Sequence, residues 1–278
     1  MSFLAAGAVA LASLVFPCRA DVTFAPQPLK QGQKITIASS SESKMTMSVK
    51  VGGVEVQKME MPSKEEIACV VTVDAADAKG ASAAKLVFGK CPGVEPSAFG
   101  SQPKEHACSG QTYETKRGEA GFAIAGELEK EAKERTTAIC DSTLVPALAE
   151  VLGGKTIKQG ETIEVPAAVA RRAIAIHAPD VNVKNVKFTL DGERKEGGVD
   201  VAVFKVALTI VQPQGEESPG ELTIDATGEL TVGKSTLLVA SAAFTETIKL
   251  DSSMDQGGQK IVMEGRGTST WKYSAKIE

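Results

Sequence analysis

The sequence predicts a mainly β protein of the α+β kind, with long antiparallel strands in a strongly curved sheet or incomplete barrel, capped by two or three central helices. Three observations lead there. Apolar residues alternate with polar ones between residues 44 and 73 and again between 186 and 277, the period of strands with one buried face. Between those stretches, residues 127–153 carry apolar side chains at helical spacing instead. Short turn-forming segments separate the alternating runs, which favours hairpins over long crossovers.

At the start of the chain, residues 3–16 read FLAAGAVALASLVF, an apolar run as long as a signal-peptide core, and Cys18-Arg19-Ala20 offers small residues ahead of a cut. Residues 1–20 are therefore expected to be a signal peptide, with an exported chain, periplasmic or extracellular, beginning at Asp21. No Lys or Arg precedes the run, so a signal anchor is the alternative. Cys18 raises lipidation, but Phe16 and Pro17 stand where that processing requires small residues. After residue 20 no stretch reaches the roughly 18 apolar residues of a spanning helix, the nearest being Leu237 to Phe244, so no transmembrane segment is expected in the mature chain.

Lys44 to Met61, KMTMSVKVGGVEVQKMEM, carries the two-residue hairpin signature at Gly52-Gly53. Folding it there sets Val51 beside Val54, Lys50 beside Glu55 and Val49 beside Val56. A bulge near Gln57-Lys58 then returns Met59 and Met61 to the apolar face of Met45 and Met47. Ile67, Cys69, Val71 and Val73 form a further strand, and Leu86 and Phe88 a shorter one after the turn residues Asp77 to Gly80.

In the middle, Glu127 to Cys140 reads as a surface helix with Leu128, Ala132 and Ile139 inward, supported by the i,i+4 pairs Glu129 to Lys133 and Glu131 to Arg135. Leu144, Leu148, Val151 and Leu152 make a second helix, stopped by Gly153-Gly154. Pro166 opens a third through Val169, Ala173 and Ile176, with His177 in its last turn. Strands resume at Val186, Phe188 and Leu190, then Val199 to Val211, Leu222 to Val232, Leu237 to Leu250 and Ile261 to Ile277. The expected organisation is one β-rich domain over residues 21–278, built of two halves, about 21–115 and 155–278, joined by the helical segment at about 127–153.

A short repeat opens each half: KQGQKITI at Lys30 to Ile37 and KQGETIEV at Lys158 to Val165, read as a glycine turn feeding a strand or helix edge. With the methionine-rich hairpin, the helical insert, the GGKTIKQGETIEVP linker and the VFKVALTI and GELTIDATGELTV strands, this order resembles a family of uncharacterised exported bacterial β-rich proteins, a domain of unknown function. Members show a V-x-x-G-x-x-W element where this chain has Ile157 to Ile163, with Ile163 in place of the aromatic. The resemblance covers most of residues 24–277 and implies an exported β fold; it brings no activity, cofactor or site residue.

Composition excludes several functions. The net charge is −4, and −5 without residues 1–20, where Arg19 is the only charged side chain, so no nucleic-acid partner is expected. Aromatics make up 4%, with one Trp, which leaves few stacking platforms for bases or sugars. Gly228 to Ser235 satisfies GxxxxGK[ST], but Leu230 and Val232 alternate as in a strand and TLLVASAAFTETIKL follows, so Gly233-Lys234 is read as a hairpin turn. No GxSxG element is present, the chain has 2 histidines, and the carboxylates fall on expected solvent faces, so no catalytic residue is nominated.

Export places Cys69, Cys91, Cys108 and Cys140 where disulfides persist. Cys91 and Cys108 bracket a Pro- and Gly-rich loop and are expected to be bridged, with Cys69 to Cys140 following by elimination. The alternative is a metal site using His106 and Cys108, although their spacing matches no CxxC pair. Four of the six methionines after residue 20, Met45, Met47, Met59 and Met61, share one hairpin face. Such a face fills an irregular core, accepts varied apolar cargo, or ligates Cu(I); filled core is the expectation. The function anticipated is a non-catalytic exported protein without cofactor, holding an apolar ligand such as a lipid or lipoprotein-like cargo, or an envelope component, in the concave face of its sheet. A structural or interaction module with a filled core is the alternative, and a hydrolase the third reading.

Overall fold

The computed structural model describes residues 21–97, 100–119, 121–177, 181–213 and 220–278. The apolar run expected to be a signal peptide lies outside the described residues. The chain is organised by one antiparallel sheet that does not close into a barrel. Its strands are β2 (Lys34–Val51), β3 (Val54–Asp77), β4 (Gly80–Phe88), β5 (Pro92–Ser97), β6 (Gly100–Glu105), β7 (Thr112–Gly118), β8 (Gly121–Ile124), β10 (Thr162–Glu164), β11 (Asn182–Glu196), β12 (Val199–Pro213), β13 (Gly220–Gly233), β14 (Val239–Gln256) and β15 (Gln259–Ile277). They run β10-β11-β12-β13-β14-β15-β2-β3-β4-β7-β8, with the β5–β6 hairpin attached to β3. A separate ribbon pairs β1 (Val22–Thr23) with β9 (Thr156–Ile157). The helices are α1 (Lys130–Thr143), the single turn α2 (Ala149–Leu152) and α3 (Ala167–Ala173).

The β2–β3 hairpin turns at Gly52 and Gly53, whose φ values of 58° and 88° are those that glycine adopts without steric cost. Val51 faces Val54 and Lys50 faces Glu55, as the spacing predicts. The bulge falls at Val56, one residue earlier than expected, so Val49 faces Gln57. The two strands expected on either side of Pro62 are one. Proline is tolerated there because β3 is an unladdered edge at that point: the Pro62 carbonyl, on the same side as its nitrogen, accepts from Ser101 Oγ at 3.4 Å.

Both KQG segments form the same turn. The amide of Gln33 donates to Lys30 O and that of Glu161 to Lys158 O, at 3.2 and 2.9 Å, with Gly32 and Gly160 at φ 84° and 83°. In each copy the third side chain folds back on the lysine amide, Gln33 Oε1 at 2.6 Å and Glu161 Oε2 at 3.0 Å. The turns then enter β2 and β10.

The helices pack on one face of the sheet and enclose one apolar core with Ile35, Ile37, Leu86, Phe188, Phe204 and Trp271. Buried residues of α1 include Ala132, Thr136, Ile139 and Cys140. The second helix is shorter than expected, and α3 ends at Ala173, so His177 lies beyond it. Among the described residues no helix is long and apolar enough to cross a membrane.

Candidate functional site

Directly opposed residues of an antiparallel ladder share a face, so the register defines rows across the helix-bearing face. One row reads Val206, Gly228, Phe244, Trp271, Ser41, Glu65 from β12 to β3. It lies under the helices: Phe244 and Trp271 are buried, with ring centroids 5.4 Å apart. The next row outward is small and polar, Ala226, Glu246, Ser269, Ser43, Ser63. The following two are apolar again: Ile224, Ile248, Gly267, Met45, Met61, then Leu222, Leu250, Gly265, Met47, Met59. Met263 with Val49, and Met254 with Ile261, continue the same face toward the hairpin tips.

All six methionines after residue 20 therefore lie on one face of the sheet, although they come from four strands. They are half-buried, and none belongs to the helix-covered core. The filled-core expectation for Met45, Met47, Met59 and Met61 is corrected accordingly: they lie past the polar row. The opposite face of the same strands is polar, with Lys44, Thr46, Glu60, Arg266, Thr268 and Lys249. Gly265 and Gly267 make the trough close-packed at its floor. A Cβ on Gly265 would lie 3.1 Å from Met45 Sδ and 3.0 Å from Leu250 Cβ, so these side chains occupy the space that the glycine leaves.

The boundary between core and trough is an ion network that joins the helices to the sheet. His106, following β6, donates from both ring nitrogens to carboxylates, Nε2 to Glu65 on β3 at 2.9 Å and Nδ1 to Glu131 on α1 at 2.6 Å. Arg135 donates Nη2 to Glu65 and Nη1 to Ile176 O at 2.6 Å. Lys104 reaches Glu131 and Glu95, each at 3.3 Å. His177 Nε2 meets Glu246 at 2.6 Å, and its ring stacks on Trp271 at 4.6 Å. The side chains of His106 and His177 are 9% and 12% exposed. Two expectations are corrected here. Glu65 and Glu246 face the core rather than solvent. Glu131 and Arg135 do not pair along the helix, because both turn inward to partners on the sheet side. With both His106 nitrogens committed to carboxylates, its imidazole has no lone pair left for a nucleophile. Among the described residues no group of three or more His, Cys, Asp or Glu is placed to hold a metal ion.

The Glu65 hydrogen bond raises the His106 pKa above its ordinary 6.5, against the effect of burial. Burial raises that of Glu65, but the His106 hydrogen bond and the Arg135 charge outweigh it and hold the carboxyl below its ordinary 4.5. The signs follow from linkage. A raised histidine contributes fully below 6.5 and loses that contribution as pH rises through its folded value. A depressed carboxylate contributes above 4.5 and loses it as pH falls through its folded value. The network is thus expected to be strongest between those two ordinary values. Thermal unfolding scanned against pH should show stability falling from mildly acid to alkaline conditions, with His106→Gln flattening that slope; an unchanged slope would contradict the role of His106.

Among the described residues the four cysteines are free and buried, where bridges Cys91 to Cys108 and Cys69 to Cys140 were expected. Cys91 Sγ donates to Gly89 O at 3.6 Å, and Cys140 Sγ to Thr115 Oγ1 at 3.9 Å. A separate pocket of about 210 Å³ lies at the other end of β14 and β15, lined by Glu196, Val199, Leu238, Val239, Ser241 and Ala275 among others. It is below the roughly 300–1,000 Å³ usual for small-molecule sites.

No protein-family model matches the chain, and no curated protein matches it. Among solved structures, it is similar to one described as "lipid-protein interactions in lipovitellin", with a TM-score of 0.40 and 10% identity over 91% of this chain. This chain spans about a quarter of that protein's length, 26%.

Proposed function

We propose that this is an exported, non-catalytic protein that holds an apolar ligand, a lipid or lipoprotein-like cargo, on the methionine-lined concave face of its sheet. The observation that carries the reading is the placement of six methionines, with Ile224, Ile248, Ile261 and Leu222, on one half-buried face past the reach of the helices. Contiguous apolar surface left open to water is costly, and it marks a binding surface when polar residues border it. Here the Glu246, Ser269, Ser43, Ser63 row borders the inner side. Unbranched thioethers adapt to ligands of different shape, because they have three rotatable bonds and a polarisable sulfur.

The test uses the full chain and N-phenylnaphthylamine, an apolar fluorophore. Met47 and Met59 face each other across β2 and β3. Replacing both with Gln is expected to weaken dye uptake about tenfold, a change of about 1.4 kcal/mol. Stability should move by less than about 1 kcal/mol, since neither side chain is fully buried. Replacing both with Leu should preserve uptake. A loss of several kcal/mol in the Gln variant, with uptake unchanged, would return the filled-core module. Copper retention by the wild type that disappears in the Leu variant would replace cargo with Cu(I).

A further inference from the structure

We propose that Cys91 and Cys108 are a disulfide-forming pair that staples the base of the β5–β6 hairpin, and that Cys69 and Cys140 stay reduced. Of the three ways to pair four cysteines, one joins the two ends of a hairpin, that of Cys91, just before β5, with Cys108, just after β6, and their thiols interact with one another. The backbone around them is already closed as a hairpin base. Pro92 faces Glu105 in the ladder, the His106 amide donates to Cys91 O at 3.1 Å, and the Cys91 amide donates to Ser109 Oγ at 3.1 Å. The hairpin itself is weakly held, since among the described residues it pairs with β3 only at Lys64 to Val94 and Glu65 to Gly93. Yet it delivers His106 to Glu65 and Lys104 to Glu131, the contacts that join α1 to the sheet. A bond at its base would hold that arm in place.

The two cysteine pairs differ chemically. Cys91 is held below the usual thiol range, first by the neighbouring Cys108 thiol, and His106 and Arg135 add positive charge nearby. Cys69 and Cys140 are pushed up by burial, the latter to about 12, which makes them poor nucleophiles. The oxidant is a disulfide donor, either a small molecule or a protein. The Cys91 thiolate attacks one donor sulfur, the donor S–S bond breaks, and one donor thiolate leaves. Cys108 then releases its proton, its sulfur attacks Cys91 Sγ, and the mixed disulfide breaks to expel the second donor thiolate. The protein gives up two electrons and two protons; the donor takes both electrons and, as its thiolates are protonated, both protons. Because both sulfurs are buried while the hairpin is docked, the donor reaches them in openings of the hairpin from β3 that leave its own ladder, and the burial of Cys69 and Cys140, intact.

The full chain, reduced and denatured, is refolded in a buffer of glutathione and glutathione disulfide, alkylated, and digested without reduction. The expected product is one fragment pair joining Cys91 to Cys108, with Cys69 and Cys140 alkylated once the protein is unfolded. Mostly Cys69-to-Cys140 linkage, crosswise linkage, or four alkylated cysteines would overturn the assignment. Native-state proteolysis of the same wild-type samples tests the staple itself. Cleavage within residues 92–105 should slow at least about tenfold on oxidation, as local opening is suppressed. Equal rates in the two redox states would overturn the stapling role.

Discussion

Trp271→Ala is expected to cost about 3–5 kcal/mol, a large part of the roughly 5–15 kcal/mol that holds a domain folded. Trp271 is 2% exposed on β15 and packs among Phe244, Tyr273 and His177, with ring centroids 5.4, 6.1 and 4.6 Å away. Its indole N–H donates to Ser39 Oγ at 3.0 Å across to β2. Truncation leaves a cavity in the middle of the sheet and removes the ring against which His177 is stacked beside Glu246. Trp271→Phe keeps much of the stacking but leaves the Ser39 hydroxyl without its donor, and should cost about 1–2 kcal/mol. Urea unfolding separates the two, and Trp271→Ala combined with His177→Ala should fall short of additivity because the rings share a contact. A loss below about 1 kcal/mol for Trp271→Ala would mean that the helix layer does not seal this row.

The strands were legible because their two faces are chemically different. Phe244, Ile248 and Leu250 alternate with Thr245, Thr247 and Lys249, and the Gly52-Gly53 turn places Val51 on Val54. The ion network was less so, though a signal existed. Glu246 occupies the apolar phase between Phe244 and Ile248, and Glu65 stands in phase with Met61, Ser63, Ile67 and Cys69. A carboxylate in the buried phase of a strand asks for a buried partner. The partners were hidden because they come from elsewhere in the chain: His106 from the hairpin base, Arg135 from α1 and His177 from beyond α3. In α1, Glu131 and Arg135 also satisfied a local i,i+4 pattern that made a solvent face look sufficient. The strands β5 to β8 gave no alternation to read, since they are short and carry Gly and Pro. What no pattern along the chain conveyed was the outer limit of the helices. Whether a strand-face methionine is core or trough depends on that limit, and only the rows across six strands define it.

Gly228→Ala is expected to cost about 3 kcal/mol, the upper end of what overpacking does. Gly228 opens the GxxxxGK[ST] formula, yet it sits inside β13 opposite Phe244. A Cβ there would press on the Ala243 carbonyl oxygen and come within 2.8 Å of Phe244 Cα. Both obstacles are backbone of the neighbouring strand, so relief requires β13 and β14 to move apart and weakens the ladder between them. The glycine is thus explained by close approach of two strands, and Gly233, at the end of β13, by its contact with Thr236. Gly265→Ala is the matched comparison. Its Cβ would meet Met45 Sδ at 3.1 Å and Leu250 Cβ at 3.0 Å, and the methionine end can swing away. That substitution should cost about 1 kcal/mol or less, offset in part by the lower chain entropy of alanine in the unfolded state. Urea midpoints measure both. Equal costs at the two positions would mean that the trough floor is as rigid as the covered core, and the adaptable methionine face would lose its physical basis along with the prediction.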